Sequence, residues 1–453
     1  MESTWFSVAD FMYLSLFIGI ATVLKRKFNI LNKFLLPTSM IAGFLGLIFG
    51  PAVLNIVPFN VAVLEKIVYH LMAIGFIALA LKDRNHKKNA NSLNTGLIIV
   101  STYIIQGIVA FSLSLFLAYT FFPNLFPVFG LILPLGYGQG PGQAYSIGTQ
   151  WENLGFLDGG QIGLTIATMG FLWACLGGVI LLNFLTRKKE MKHVKYKNDI
   201  IQKNIVEESE PGEIPLSTGL DKITVQLILI GIVYLVTYLT IKVLSSALSP
   251  LGTFGMTMSQ LLWGFHFLIG TMYAMLLRII YDYLKKKKIV VQNYPNNYLL
   301  QRISGASFDF MIAASITALS IYAIKRNLIP ILLISFIGGL ITILYIIYIC
   351  KKIYKVHVLE YIIALYGMLT GTISTGLALL REVDPDFNTQ VAENLVLGSA
   401  YGLVLGFPLM LILNIPVIGY TNNNPIMYLY TILALFIYLL VIIILMKKNN
   451  KNS

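Results

Sequence analysis

Apolar runs long enough to cross a lipid bilayer recur along the whole chain and constrain its fold more than any other feature. A transmembrane helix needs about 20 consecutive apolar residues. The apolar segments lie near 6–24, 34–50, 61–81, 96–121, 128–150, 160–186, 223–248, 258–280, 303–324, 328–350, 358–380, 392–414 and 426–446. Only 12% of the 453 residues are charged, against about 25% in soluble domains. We therefore predict an all-α polytopic membrane protein.

The positive charge follows the ends of these segments. The formal net charge is +13, and basic clusters stand at 25–27, 187–189, 285–288, 351–352 and 447–448. Cytoplasmic loops of membrane proteins carry an excess of Lys and Arg. The pattern predicts a cell-membrane protein whose N-terminus is outside and whose C-terminus is cytoplasmic, and it argues against a nucleic-acid partner.

Assigning sides in this way leaves two segments that cannot be simple crossings. The segment 128–150 begins and ends outside, whereas 358–388 begins and ends in the cytoplasm. We interpret each as a re-entrant hairpin, which gives about 11 crossings plus two broken hairpins that enter from opposite faces. Two inverted repeats with broken helices near the bilayer midplane are typical of secondary transporters.

The predicted organisation has four parts. Residues 1–186 form the first inverted repeat and 222–414 the second. Between them, the polar segment 187–221, rich in Lys and Glu, is predicted to be a cytoplasmic linker. Residues 415–453 add a C-terminal span and a basic tail.

The first hairpin contains LPLGYGQGPGQAYSIGTQWE (residues 133–152), in which glycines alternate around Pro141. Unpaired backbone in hydrocarbon costs several kcal/mol per group, so it is tolerated only where protein covers it or where it lines a wet cavity. The open N-terminus of a helix attracts carboxylates, and free carbonyl groups suit a hard cation such as sodium. The two hairpin turns therefore predict a binding site for a small anion and a sodium ion. The alternative is that the glycines serve close helix packing, as Gly367 and Gly371 could.

Candidate site residues follow from the two turns. The substrate-binding candidates are Gly138, Gln139, Gly140, Gly142, Gln143, Ser146, Gly371, Thr372, Ser374 and Thr375. The sodium candidates are Asp309, Thr370 and Thr149. Asp309 is included because a carboxylate inside a span is a functional candidate by default.

Three stretches together resemble the bacterial sodium–glutamate symporters over about residues 6–414. They are the first hairpin quoted above, the span FDFMIAASITALSIYAIKRNLIPILLI, and the second hairpin GMLTGTISTGLALL. The resemblance implies sodium-coupled uptake of a dicarboxylic amino acid by two inverted halves that move as a transport unit against a scaffold. The chain departs from the family in one place, because Gly140-Pro141-Gly142-Gln143 stands where the family carries Gly-His-Gly-Thr.

We therefore predict a secondary active transporter, not an enzyme, that couples sodium to the entry of glutamate or a related amino acid or dicarboxylate. Its expected partners are that small anionic substrate, the lipid bilayer and a second copy of the chain in a homodimer. A monoanion that enters with one sodium moves no net charge, so voltage-driven uptake of an anion requires at least two cations.

Three other classes compete with this prediction, and the sodium–proton exchanger is the runner-up. A sodium–proton exchanger, or another cation-coupled carrier of inverted-repeat fold, would be expected to carry paired acidic residues at midplane. A channel would be expected to show a continuous polar stripe along several spans. A membrane-embedded enzyme would need a clustered catalytic set.

Overall fold

The structure is a computed structural model, and helices dominate it. It describes residues 2–28, 36–82, 90–187, 222–248, 250, 255, 258–259, 262–289, 294–384 and 389–451. The predicted linker 187–221, apart from Arg187, lies outside these ranges. The part of the chain that is described contains helices and no strand.

The helices are numbered here in chain order. They are α1 Glu2–Lys27, α2 Thr38–Phe49, α3 Val61–Ala80, α4 Ala90–Thr120, α5 Ile132–Gly138, α6 Pro141–Glu152, α7 Gly159–Leu172, α8 Gly178–Arg187, α9 Lys222–Leu248, α10 His266–Lys286, α11 Asn297–Thr317, α12 Ile321–Arg326, α13 Leu328–Ile353, α14 Val358–Thr370, α15 Ile373–Leu380, α16 Val391–Leu405, α17 Phe407–Ile412, α18 Ile415–Thr421 and α19 Ile426–Lys451. A 3₁₀ turn at Phe129–Leu131 precedes α5, and a π-helical turn at Trp173–Gly177 joins α7 to α8.

Eight helical segments of the described residues are long and apolar enough to cross a membrane, with α7, the π-helical turn and α8 counted as one segment. The bent pair Val391–Leu405 and Phe407–Thr421, with a 43° angle between its parts, makes a ninth if it is one span. The chain is thus a polytopic membrane protein, as predicted. Two predicted spans do not pass this test: 34–50, which yields only the 12-residue helix α2, and 303–324, whose helix α11 carries Arg302 and Asp309.

The first glycine-rich stretch breaks the helix where the sequence predicts it. α5 ends at Gly138 and α6 begins at Pro141, with Gln139 and Gly140 between them. Gly140 has φ +94° and ψ 179°, a conformation that is open almost only to glycine. Proline at the first helical position leaves one donor fewer to satisfy. Local chemistry therefore explains this break.

The chain also reverses at this break. A Cβ atom on Gly163 of α7 would lie 2.4 Å from the Ala144 carbonyl oxygen, and one on Gly159 would lie 2.3 Å from the Gly148 carbonyl oxygen. Since Ala144 precedes Gly148 and Gly163 follows Gly159, α6 runs antiparallel to α7. The contacts of α5 with α7 run in the opposite order. The arms α5 and α6 therefore form a hairpin, called hairpin 1 here.

A second hairpin, called hairpin 2, is formed by α14 and α15. α14 ends at Thr370 and α15 begins at Ile373. A Cβ atom on Gly376 would lie 2.5 Å from the Ala364 carbonyl oxygen. In one continuous helix these residues would stand roughly 18 Å apart. The chain therefore turns back at Gly371 and Thr372.

Helix packing follows a reciprocal pattern between the two halves of the chain. α1 packs on α2 and α2 on α11, while α9 packs on α10 and α10 on α3. Three further contacts join α3 to α11, α4 to α13 and α5 to α14. The pattern is not complete: α6 lies along α7, but α15 contacts α16 only slightly.

The hairpins lie within the protein and other helices face outward. Nearly all of hairpin 1 from Phe129 to Gly148 is buried, as is nearly all of α14. By contrast, α1, α9 and α19 expose large apolar side chains, such as Val23, Leu235 and Ile437. Such surfaces suit contact with lipid, and they place the hairpins at the centre of the membrane-embedded structure.

Candidate binding site at the hairpin turns

A cavity of about 500 Å³ runs from the two hairpin turns along α3, α10, α11 and α16. At its inner end it is lined by the turns: Gly138, Gln139, Gln143, Gly371, Thr372 and Ser374. Two helix breaks from opposite halves of the chain therefore meet at one cavity. Pockets with convergent polar groups in an otherwise apolar lining are typical of small-molecule sites.

The turns approach each other directly. A Cβ atom on Gly140 would lie 4.0 Å from Cγ2 of Thr372, which is ordinary van der Waals distance. On its other side hairpin 1 packs closely, because a Cβ on Gly142 would lie 2.8 Å from Met311 Sδ and from Met72 Cβ. Met72 belongs to α3 and Met311 to α11. These two helices thus hold the first turn in place.

The opposite end of the cavity, called the mouth, is formed where α3 ends and α11 begins. Lys82, Asn297 and Gln301 line it, and Lys82 Nζ donates a hydrogen bond to Gln301 Oε1 at 2.5 Å. Burial lowers the pKa of Lys82 from its ordinary value of 10.5. Lys82 follows Met72 by ten residues, so at 1.5 Å per residue it lies roughly 15 Å from the first turn.

The N-terminus of α6 is open toward the cavity. Its N-cap, Gly140, has no side chain and makes no capping hydrogen bond. The first N–H groups of a helix have no acceptor within it. Gln143, in the first turn of α6, is only 1% exposed, lines the cavity, and has no hydrogen-bond partner for its Oε1 among the described residues. This end of the cavity therefore presents unmatched polar groups to a ligand.

The N-terminus of α15 differs because it is capped by its own residues. The backbone N–H of Thr375 donates to Thr372 Oγ1 at 3.4 Å, and the N–H of Thr372 donates to Thr375 Oγ1 at 3.3 Å. This reciprocal arrangement is a capping box. Side chains of hairpin 2 therefore satisfy two of its N–H groups, whereas no side chain caps the second arm of hairpin 1.

Polar side chains of α4 support both turns, and the sequence analysis missed them. The Tyr103 hydroxyl donates to the Gly138 carbonyl at 2.8 Å. Gln106 Nε2 donates to Thr342 Oγ1 at 2.9 Å and to the Leu369 carbonyl at 3.0 Å. Polar residues inside an apolar run are candidates for functional positions. Tyr103 and Gln106 are such residues within STYIIQG at 101–107, so the sequence did point to them.

Most of the predicted substrate candidates gather at the cavity. Gly138, Gln139, Gln143, Gly371, Thr372 and Ser374 line it, and Gly140 faces Thr372. The side chains or Cα atoms of the remaining three contact other parts of the protein: Gly142 packs on α3 and α11, Thr375 belongs to the capping box, and the buried Ser146 donates to the Gly264 carbonyl at 2.9 Å.

The three sodium candidates lie on three different helices, α11, α14 and α6. Asp309 is exposed on α11 and does not line the cavity, although Phe308 and Met311 do. Thr370, at the end of α14, donates to the Tyr366 carbonyl at 2.8 Å. Thr149 lies two turns beyond the start of α6, against Gly160 of α7. A sodium site formed by these three residues stays a prediction.

No protein-family model, curated protein or solved structure matches the chain. The site is therefore interpreted from its own geometry, and the resemblance to sodium–glutamate symporters stays a prediction.

Proposed function

We propose that the protein is a secondary active transporter that couples sodium entry to the uptake of a small solute bearing a carboxylate. The observation that carries the proposal is that two helix breaks, one from each half of the chain, meet at the inner end of a single cavity. Transporters bind substrate and coupling ion at such breaks. The uncapped N-terminus of α6 supplies the group that attracts a carboxylate.

The reciprocal packing supports two repeats related by a pseudo-twofold axis. Under this assignment α1 to α4 correspond to α9, α10, α11 and α13, and hairpin 1 corresponds to hairpin 2. A helix that lies near a twofold axis contacts its equivalent in the other repeat. Three such contacts are present: α3 with α11, α4 with α13, and α5 with α14. Helices away from the axis make paired contacts, as α2 with α11 and α10 with α3 do. The two repeats are inverted if the basic loops are cytoplasmic.

The basic loops also give the cavity a direction. The segment after α3 reads KDRNHKK at 82–88, and such clusters favour the cytoplasm. The mouth, which includes Lys82, then opens inward, the N-terminus is outside and the C-terminus is cytoplasmic. In alternating access this would be the state that releases substrate into the cell.

A carrier fits the cavity better than the competing exchanger. Exchange of sodium for protons relies on carboxylates that alternate between the two ions. Among the described lining residues there is no Asp or Glu. The polar groups at the inner end are backbone, amide and hydroxyl groups, which suit binding of an organic carboxylate.

Uptake into proteoliposomes tests the proposal. The purified full-length chain is reconstituted, and radiolabelled amino acids and dicarboxylates are offered with an inward sodium gradient or with potassium in its place. We expect one solute class to accumulate with sodium only. Equal accumulation with and without the ion gradient would indicate passive flux and contradict the proposal.

A further inference from the structure

We propose that the substrate is a zwitterionic α-amino acid with a large apolar side chain, rather than glutamate or a dicarboxylate. The inference deepens the proposed function and rests on it for transport, but the binding chemistry stands on the cavity alone. The cavity has one polar inner end and long apolar walls, and each part matches one group of such a ligand.

The α-carboxylate is matched best at the N-terminus of α6. The N-terminus of α6 is the uncapped helix end at the turns, and Gly140 leaves room for close approach because its missing Cβ would otherwise stand between α6 and Thr372. The N-terminus of α15 has two of its N–H groups taken up by Thr372 and Thr375, whereas no side chain caps α6. The α6 end is therefore the better match for a carboxylate.

The ammonium group is matched by Gln143. Its Oε1 accepts no hydrogen bond among the described residues although the side chain is 99% buried at the cavity, and an unmade buried bond is costly. An acceptor on the third residue of α6, in the helix turn that would hold the carboxylate, is placed for the amine of an α-amino acid.

The side chain meets an apolar wall. Beyond the turns the cavity is lined by aromatic and thioether groups, among them Phe76, Phe267, Met275, Phe308, Met311 and Met368. Methionine packs around ligands of different shape. A leucine, methionine or phenylalanine side chain would bury its surface here, whereas a carboxylate would lose its hydration without a partner.

A second carboxylate has no cation within reach. The described residues that line the cavity include one basic residue, Lys82, and it stands at the mouth bonded to Gln301. The roughly 15 Å between it and the first turn exceeds the separation of the two carboxylates in glutamate. The cavity thus discriminates against dicarboxylates by leaving their second charge unpaired.

The test measures binding by the purified full-length protein with no gradient, using L-leucine, L-glutamate, 4-methylpentanoate (leucine without its amine) and isopentylamine (leucine without its carboxylate). We expect saturable stabilisation by L-leucine, and at least about tenfold weaker binding of each other compound, because each leaves a polar group unmatched. Binding of glutamate but not leucine, equal binding of 4-methylpentanoate, or no binding at all would overturn the inference.

A variant pair locates the site. Gln143→Leu should weaken L-leucine binding by about tenfold or more and leave 4-methylpentanoate unaffected. The same change at Gln150, which lies on α6 but does not line the cavity, should alter neither. If Gln143→Leu does not fold, Gln143→Glu, which keeps an acceptor, should retain leucine binding; its loss would contradict the assignment.

Transport separates the two proposals. Leucine binding without sodium-driven uptake would contradict the proposed function and leave the inference standing. Sodium-driven uptake of glutamate alone would support the proposed function and contradict the inference about the substrate. A zwitterion that enters with one sodium moves one net charge, so leucine uptake should respond to voltage at that stoichiometry.

Discussion

Both hairpins consist of a helix, a turn that contains glycine and a second helix, but their surroundings differ. In hairpin 1 the second arm α6 packs along α7 and against α3, and almost all its inward residues are buried. In hairpin 2 the second arm α15 contacts mainly its own first arm, and Ser374 is exposed to the cavity. The open helix end belongs to the enclosed hairpin, and the capped end to the exposed one.

This difference suggests a division of work. A binding group has to be held in place, and hairpin 1 is held by α3, α7 and α11. An arm that moves benefits from caps that move with it, and the capping box of α15 satisfies two N–H groups without help from neighbouring helices. We expect hairpin 1 to form the fixed part of the site and α15 to be the part that moves when the cavity opens and closes.

The largest expected effect comes from separating α6 from α7. Gly163→Val should destabilise the protein by about 3 kcal/mol, because the new side chain meets the Ala144 carbonyl, where a Cβ would lie 2.4 Å away. Thermal unfolding in detergent measures this. Gly231→Val in α9, where a Cβ meets nothing within 4 Å, is the control and should change stability far less.

A somewhat smaller effect is expected at the first turn. Gly140→Ala should cost about 2 kcal/mol, since φ +94° with ψ 179° is strained for any residue with a Cβ. The space itself is free, because the nearest atom would be 4.0 Å away. The penalty should appear as weaker ligand binding together with a lower melting temperature. Unchanged binding would show that this turn does not hold the site; Gly19→Ala on the surface of α1 is the matched control.

The exposure of the two second arms can be compared by cysteine labelling. We expect Ser374→Cys to react with a water-soluble maleimide at least about tenfold faster than Ser146→Cys, which corresponds to an opening free energy of about 1.4 kcal/mol or more. The native thiols, Cys175 and Cys350, are buried, so background should be low. Similar rates at both positions would remove the contrast between the hairpins. Labelling of Ser374→Cys from the cytoplasmic face alone would also support the proposed orientation.

The smallest effect concerns the cap of α15. Thr372→Val removes the hydroxyl that accepts from Thr375 and should cost about 1 kcal/mol. Thr22→Val in α1, whose hydroxyl bonds only to the Ile18 carbonyl of its own helix, should cost less. We expect faster hydrogen exchange confined to α15 in the first variant; protection equal to the unmodified protein would show that the cap does not stabilise this arm.

The features that the sequence predicts well are local ones. The apolar runs predict most of the membrane helices, and Gly138 to Gly142 with Pro141 predict the first break because their backbone preferences act without neighbours. The sequence-based predictions fail where packing between helices determines which face of a helix lines the cavity. The rotation of α11 about its axis places Phe308 and Met311 at the cavity and Asp309 outside it, and no local pattern distinguishes these faces.

The walls of the cavity were missed for a related reason. Met368 and Phe267 line it, but an apolar residue facing a cavity looks the same in sequence as one facing lipid. The predicted span at 34–50 was too long, because the helix there begins only at Thr38 and ends at Phe49. By contrast, Tyr103 and Gln106 were predictable from their polarity within α4. Including them among the candidate residues would have identified the helix that supports both turns.

The central claim is that the two turns meet at the binding site, and a disulfide between them tests it most directly. A Cβ on Gly140 would lie 4.0 Å from Thr372 Cγ2, so a small movement of either turn would bring the pair Gly140→Cys and Thr372→Cys within disulfide range. In membranes, oxidation should cross-link this pair, abolish uptake and ligand binding, and be reversed by reductant, whereas each single variant should be unaffected by oxidation. A folded double variant that forms no cross-link, or one that binds and transports normally when cross-linked, would contradict the account.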